Sequence, residues 1–129
     1  MVVNEYIAMK RRVIDGATIE AKIILGFGVV LHNKIKLEDV ITSNFHKDRD
    51  SREAAIDAKK YLDRITPAKF KIRVREGATN AAGGIFAQCW DGPKCLNNMV
   101  VENGMGKWRG DRKTGFSTPS MELYSHMYG

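Results

Sequence analysis

Residues 13–23 read Val13-Ile14-Asp15-Gly16-Ala17-Thr18-Ile19-Glu20-Ala21-Lys22-Ile23. An Asp-Gly pair between two apolar, β-rich runs predicts a hairpin, with Gly16 supplying a positive φ at no steric cost. After it Ile19, Ala21 and Ile23 alternate with Thr18, Glu20 and Lys22, the period-2 pattern of a strand with one buried face. The stretch therefore reads as strand, tight turn, strand.

Outward from this turn, residues 5–14 are apolar and then basic, and their C-terminal part supplies the first strand. The second strand runs to about Leu25, where Gly26-Phe27-Gly28 starts another turn. In the third, Val29, Leu31, Ile35 and Leu37 are expected on one side and His32, Lys34 and Lys36 on the other. Asn33 interrupts the apolar side and marks an expected bulge. Three strands joined by tight turns make a meander.

Residues 38–50 are irregular and polar. From Ser51 the period changes, with Ala55, Ala58, Leu62 and Ile65 at helical spacing. Asp50 and Glu53 resemble a capping box at its start, and Pro67 stops it. Phe70, Ile72 and Val74 then alternate with Lys69, Lys71, Arg73 and Arg75, giving a fourth strand with one cationic face. That face reads either as a solvated sheet surface or as a track for phosphates. Residues 77–84 form a loop of small residues without the lysine of a phosphate cradle. Residues 85–90 make a fifth strand, closed by a turn at Asp91-Gly92-Pro93. A short helix follows at 96–103, with Gly104 at its C-cap. From Lys107 the chain is polar and turn-rich, with a helical turn expected near 121–124.

Five strands with a helix between the third and fourth and another at the C-terminal end predict an α+β fold: a five-stranded Greek-key barrel of the OB type. The barrel domain is expected over 1–108 and a polar extension over 109–129. The chain has 129 residues, 21 Lys and Arg against 15 Asp and Glu, and a net charge of +6, a balance that favours anionic partners. No apolar run approaches the roughly 20 residues that cross a bilayer. Residues 1–10 lack a cationic head followed by an apolar block, so no secretory signal, a cytoplasmic location and no membrane partner are expected. Cys89 and Cys95 lack zinc-ligand partners at suitable spacing and read as reduced thiols.

The residues resemble the staphylococcal-nuclease-like (thermonuclease) family over about 10–108. Val13-Ile14-Asp15-Gly16-x-Thr18 is similar to its V-I-D-G-D-T turn. Ser51-Arg52-Glu53-Ala54-Ala55 resembles the start of its first helix. Trp90-Asp91-Gly92 and Leu96-Asn97-x-x-Val100-Val101-x-x-Gly104 resemble its last strand, turn and helix. The resemblance implies a calcium-dependent phosphodiesterase for DNA and RNA. Such a site needs two metal-binding aspartates, a glutamate and two arginines on the phosphate. A hard cation takes carboxylate oxygens, and forked guanidinium donors neutralise charge that develops on phosphorus oxygens.

Most of that set is missing here. The first metal aspartate falls at Ala17, which carries no ligand atom. The third-strand arginine falls at Lys34, which keeps the charge without the fork. The second aspartate is Asp39. The glutamate position falls at Thr42 and the second arginine at Gly83. Asp15, Glu20 and Glu38 are the carboxylates that a rearranged cation site, for calcium or magnesium, would use beside Asp39. His32, His46 and His126 lie far apart in sequence and read as surface or partly buried residues. Trp90, Trp108, Phe86 and Phe70 read either as core or as base-stacking residues. Phe116, Tyr124 and Tyr128, mixed with Lys107, Arg109, Arg112 and Lys113, suit a strand-binding tail or one that docks on the barrel.

The expected function is a barrel that binds nucleic acid, as single-stranded DNA or RNA, or another anionic ligand, without cutting it. Lys34, Lys36, Lys69, Lys71, Arg73 and Arg75 would supply the phosphate contacts. The alternatives are a divergent metal-dependent nuclease using Asp39 and a protein-interaction module whose extension carries the contact to a protein partner.

Overall fold

The computed structural model describes residues 3–42, 49–75, 77 and 83–117. Its elements are β1 (Val3–Asp15), β2 (Thr18–Gly26), β3 (Val29–Leu37), β4 (Val40–Ile41), α1 (Arg49–Ile65), β5 (Lys69–Arg75), β6 (Ile85–Asp91), β7 (Lys94–Cys95), α2 (Leu96–Glu102) and β8 (Lys107–Trp108). The main sheet runs β3-β2-β1-β5-β6-β7, and β3 also pairs with β6, which closes a barrel of β1, β2, β3, β6 and β5. All the barrel pairings are antiparallel except β3 with β6. With α1 between the third and fourth barrel strands, this is the predicted OB-type α+β barrel.

β1 begins earlier than the sequence suggests because it serves two neighbours. Residues Val3 to Met9 pair with β5, while Ile7 to Asp15 pair with β2. A register shift between Lys10 and Arg12 bends the strand between these roles. Ala8, Ile19, Ala21, Ile23, Ile35, Phe70, Ile72, Ala87 and Cys89 fill the barrel. Leu62, Tyr61, Leu96 and Val100 of the helices extend that core. Burial of side chains of this kind contributes about 1.5–3 kcal/mol each.

Several local expectations are corrected. Gly16 does not have a positive φ; its role is space, since a Cβ there would lie 2.6 Å from the Ala58 Cβ of α1. Asn33 sits in regular register opposite Ala21, and the β2–β3 bulge falls instead between Ile24 and Gly26. Val29 and Leu31 do not join Ile35 and Leu37 in the core, because the hairpin extends past the barrel and leaves both exposed. Asp50 lies within the first turn of α1, where its charge complements the helix dipole, so it is not the cap. α2 ends one residue earlier than expected, at Glu102 with Asn103 as C-cap, and Gly104 follows it at φ 75°. Both cysteines are free and buried. Residues 78–82 of the small-residue loop, His46, His126, Tyr124, Tyr128 and the expected turn at 121–124 lie outside the described residues.

Candidate nucleic-acid interface

The β1–β2 turn, the β3–β4 turn and the start of the C-terminal extension meet at one end of the barrel. Asp15 Oδ1 accepts the Ala17 N–H at 2.9 Å, which tightens the first turn. The Ala17 carbonyl accepts the Leu37 N–H at 2.8 Å and latches that turn to the end of β3. Beside this latch lies a polar cavity of about 410 Å³ lined by Asp15, Thr18, Lys36, Thr42, Phe86 and Arg109, among others.

Arg109 is the residue that sequence reasoning assigned only to a tail. β8 pairs with β4, placing Trp108 opposite Val40 and Lys107 opposite Ile41. The Arg109 N–H then donates to the Asp39 carbonyl at 2.7 Å. The following residues stay on the barrel. Arg112 Nε donates to Asp39 Oδ2 at 3.0 Å, with its guanidinium 4.0 Å from the centre of the Phe116 ring and 5.7 Å from that of Trp108. Asn98 of α2 holds the Phe116 backbone from both sides, at 2.8 and 2.9 Å. The extension thus returns a guanidinium to the neighbourhood of Lys36 by a route that strand-by-strand matching cannot find.

The carboxylates expected near Asp39 do not gather there. Glu38 is buried, 4% exposed, and pairs with Arg75. Glu20 accepts from Arg12 Nε at 2.9 Å, and this hydrogen bond holds its pKa below the usual carboxylate value. Asp39 is engaged by Arg112, and Ala17 presents only a methyl group. Among the described residues no group of three or more His, Cys, Asp or Glu side chains is placed to hold a metal ion. The residues present therefore do not fit the calcium ion that the resemblance implies. Thr42 lines the cavity where a carboxylate was sought, and Gly83, with φ 81°, lies two residues before β6.

The predicted cations divide into two groups. Lys36 lies in register with Phe86 across the β3–β6 closure, and Lys34 is exposed opposite Glu20. On β5, Lys71 and Arg73 both face Glu5, at 3.6 and 3.4 Å, while Lys69 is exposed. β6 runs between the two groups, with Arg73 opposite Gln88. Sequence reasoning missed Arg11, Arg12 and Lys22, which the β1–β2–β3 register brings beside Lys34 and His32; Arg11 donates to His32 Nδ1 at 3.2 Å. Of the candidate stacking residues, Phe70 and Trp90 are buried, whereas Phe86 and Trp108 are half-buried at the site's edge. No family model matches the chain, and no curated protein is detectably similar to it in sequence.

Proposed function

We propose that this barrel binds single-stranded nucleic acid through its phosphates and does not cut it by the two-aspartate calcium route of the family it resembles. The observation that carries the reading is the convergence of Lys36 and Arg109 on one polar cavity beside Phe86. A lysine and a forked guanidinium form a donor set for a phosphate group. The half-buried Phe86 ring offers an apolar surface beside it. Lys34 on one side, and Lys69, Lys71 and Arg73 on the other, continue the positive potential along neighbouring strands. The alignment of Asp39 with Arg112 supports a structural role for that carboxylate.

The test is a gel assay of labelled single-stranded DNA and RNA with the full chain, in calcium, magnesium, manganese or EDTA, beside Asp39→Ala. The expected result is retarded, intact strands under all conditions, with an affinity that falls steeply with salt. Metal-dependent cleavage that disappears in Asp39→Ala would overturn the reading in favour of a rebuilt nuclease site.

A further inference from the structure

The β2–β3 hairpin is segregated along its length. From Ile24 to Leu31 it carries no charge, and Ile24, Leu25, Phe27, Val29, Val30 and Leu31 are all exposed, Phe27 completely. Behind this tip the same two strands carry Lys22 opposite His32 and Lys34 opposite Glu20, with Arg11 beside His32 and Arg12 engaging Glu20. Contiguous apolar exposure of this extent is uncommon on a monomer's surface and marks a contact site.

The turn itself is built at a cost. Gly26 and Val29 pair across a two-residue loop of Phe27 and Gly28, whose φ values are 54° and 76°. Loops with two positive φ values favour Asn or Gly at the first position. A bulky side chain there is disfavoured, because its Cβ crowds the neighbouring carbonyl oxygen. Phe27 makes no burial within the fold that offsets this strain.

We propose that the hairpin tip inserts into the interface of a bilayer containing anionic lipid. The occupant follows from charge complementarity along the hairpin: the apolar tip suits the acyl boundary, and the cationic shaft suits anionic headgroups. The dimensions agree, since three residues from Ile24 and Val30 to the tip span about 10 Å, against the roughly 5–10 Å to which interfacial elements bury. A second copy of this chain would bring two cationic shafts together, and a nucleic acid strand would leave the aliphatic residues in water. No described helix is long and apolar enough to cross a membrane, and peripheral insertion requires none.

The test is co-sedimentation of the full chain with phosphatidylcholine vesicles, with and without phosphatidylglycerol, beside Phe27→Asn. Asparagine suits the turn, so the variant's thermal midpoint is expected to match or exceed that of the parent. The expected result is partition onto phosphatidylglycerol vesicles that falls about tenfold in Phe27→Asn. No partition by the parent chain overturns the proposal. So does equal partition by both chains, which would assign binding to surface charge alone. A Phe27→Asn effect confined to oligonucleotide affinity or self-association would assign the tip to a strand or a second copy and also overturn it.

Discussion

Asp39 accepts a hydrogen bond from Arg112 across 73 residues of sequence, and the same guanidinium lies over the Phe116 ring, 4.0 Å from its centre. The carboxylate is thereby part of the clasp that fixes the extension to the barrel. Asp39 also has a φ of 60°, a conformation that Asn and Asp tolerate better than Ala.

Arg112→Ala is expected to cost about 1–2 kcal/mol, through loss of a half-buried charged hydrogen bond and a cation–π contact. Asp39→Ala should cost more than Asp39→Asn, since Ala loses the acceptor and adds backbone strain. Urea denaturation of the three variants checks the order. Limited proteolysis should show faster cleavage after Lys113 in Arg112→Ala. Equal stability of all four chains would mean that the clasp contributes nothing measurable.

Asn97 is completely buried and links three elements. Its Oδ1 accepts the Cys89 N–H at 3.0 Å, and its Nδ2 donates to the Glu38 and Ala87 carbonyls at 3.1 and 3.2 Å. Asn97→Ala would remove the partner of the Cys89 N–H and of the Glu38 carbonyl, at about 1–3 kcal/mol for each group left unpaired, while the Ala87 carbonyl keeps the Glu38 N–H at 2.9 Å. The variant is expected to lose most of its cooperative unfolding transition, while Asn98→Ala, which frees only the Phe116 backbone, should keep it. Calorimetry of the two variants separates these outcomes.

The barrel was legible because alternation marks its strands: Ile19, Ala21, Ile23, Phe70 and Ile72 are all buried as their period requires. Gly16 illustrates what period and turn chemistry miss. The glycine was legible, but its reason is a helix that arrives from 42 residues further on, and no local rule reports that approach. Gly16→Ala should therefore destabilise by about 1–3 kcal/mol through overpacking against Ala58, and a Gly16→Ala, Ala58→Gly double variant should recover part of the loss in urea melts. The site was less legible for the same physical reason: Arg109 enters it through long-range pairing of β8 with β4, which leaves no local signature.

Burial pushes the Cys95 thiol up to about 11, and burial raises Cys89 well above its ordinary value. The protonated thiol is the form the fold accommodates. Stability from these groups is thus fully present below the unfolded thiol pKa, near 8.5, and is lost as pH rises towards 11. For Cys95 the loss is about 2–3 kcal/mol. Denaturation midpoints measured from neutral pH upwards should fall more steeply for the parent chain than for Cys95→Ala, and native-state reaction with a thiol reagent at neutral pH should be slow. Identical slopes would show that the thiol does not contribute.

The two groups of cations should differ in what they contribute to strand binding. Lys36 and Arg109 line the cavity, whereas Lys71 and Arg73 share Glu5 and Arg75 is paired with Glu38. Lys36→Ala and Arg109→Ala are each expected to weaken binding of a labelled single strand and to reduce the slope of log affinity against log salt by about 0.7. Lys71→Ala should do less, because Glu5 already offsets part of its charge. Glu5→Gln should strengthen binding, since it removes the competing carboxylate from both neighbours. Fluorescence anisotropy across a salt series measures all four. Equal losses for Lys36→Ala and Lys71→Ala, with no gain in Glu5→Gln, would mean that the strand responds to net charge alone and that the cavity has no special part in holding it.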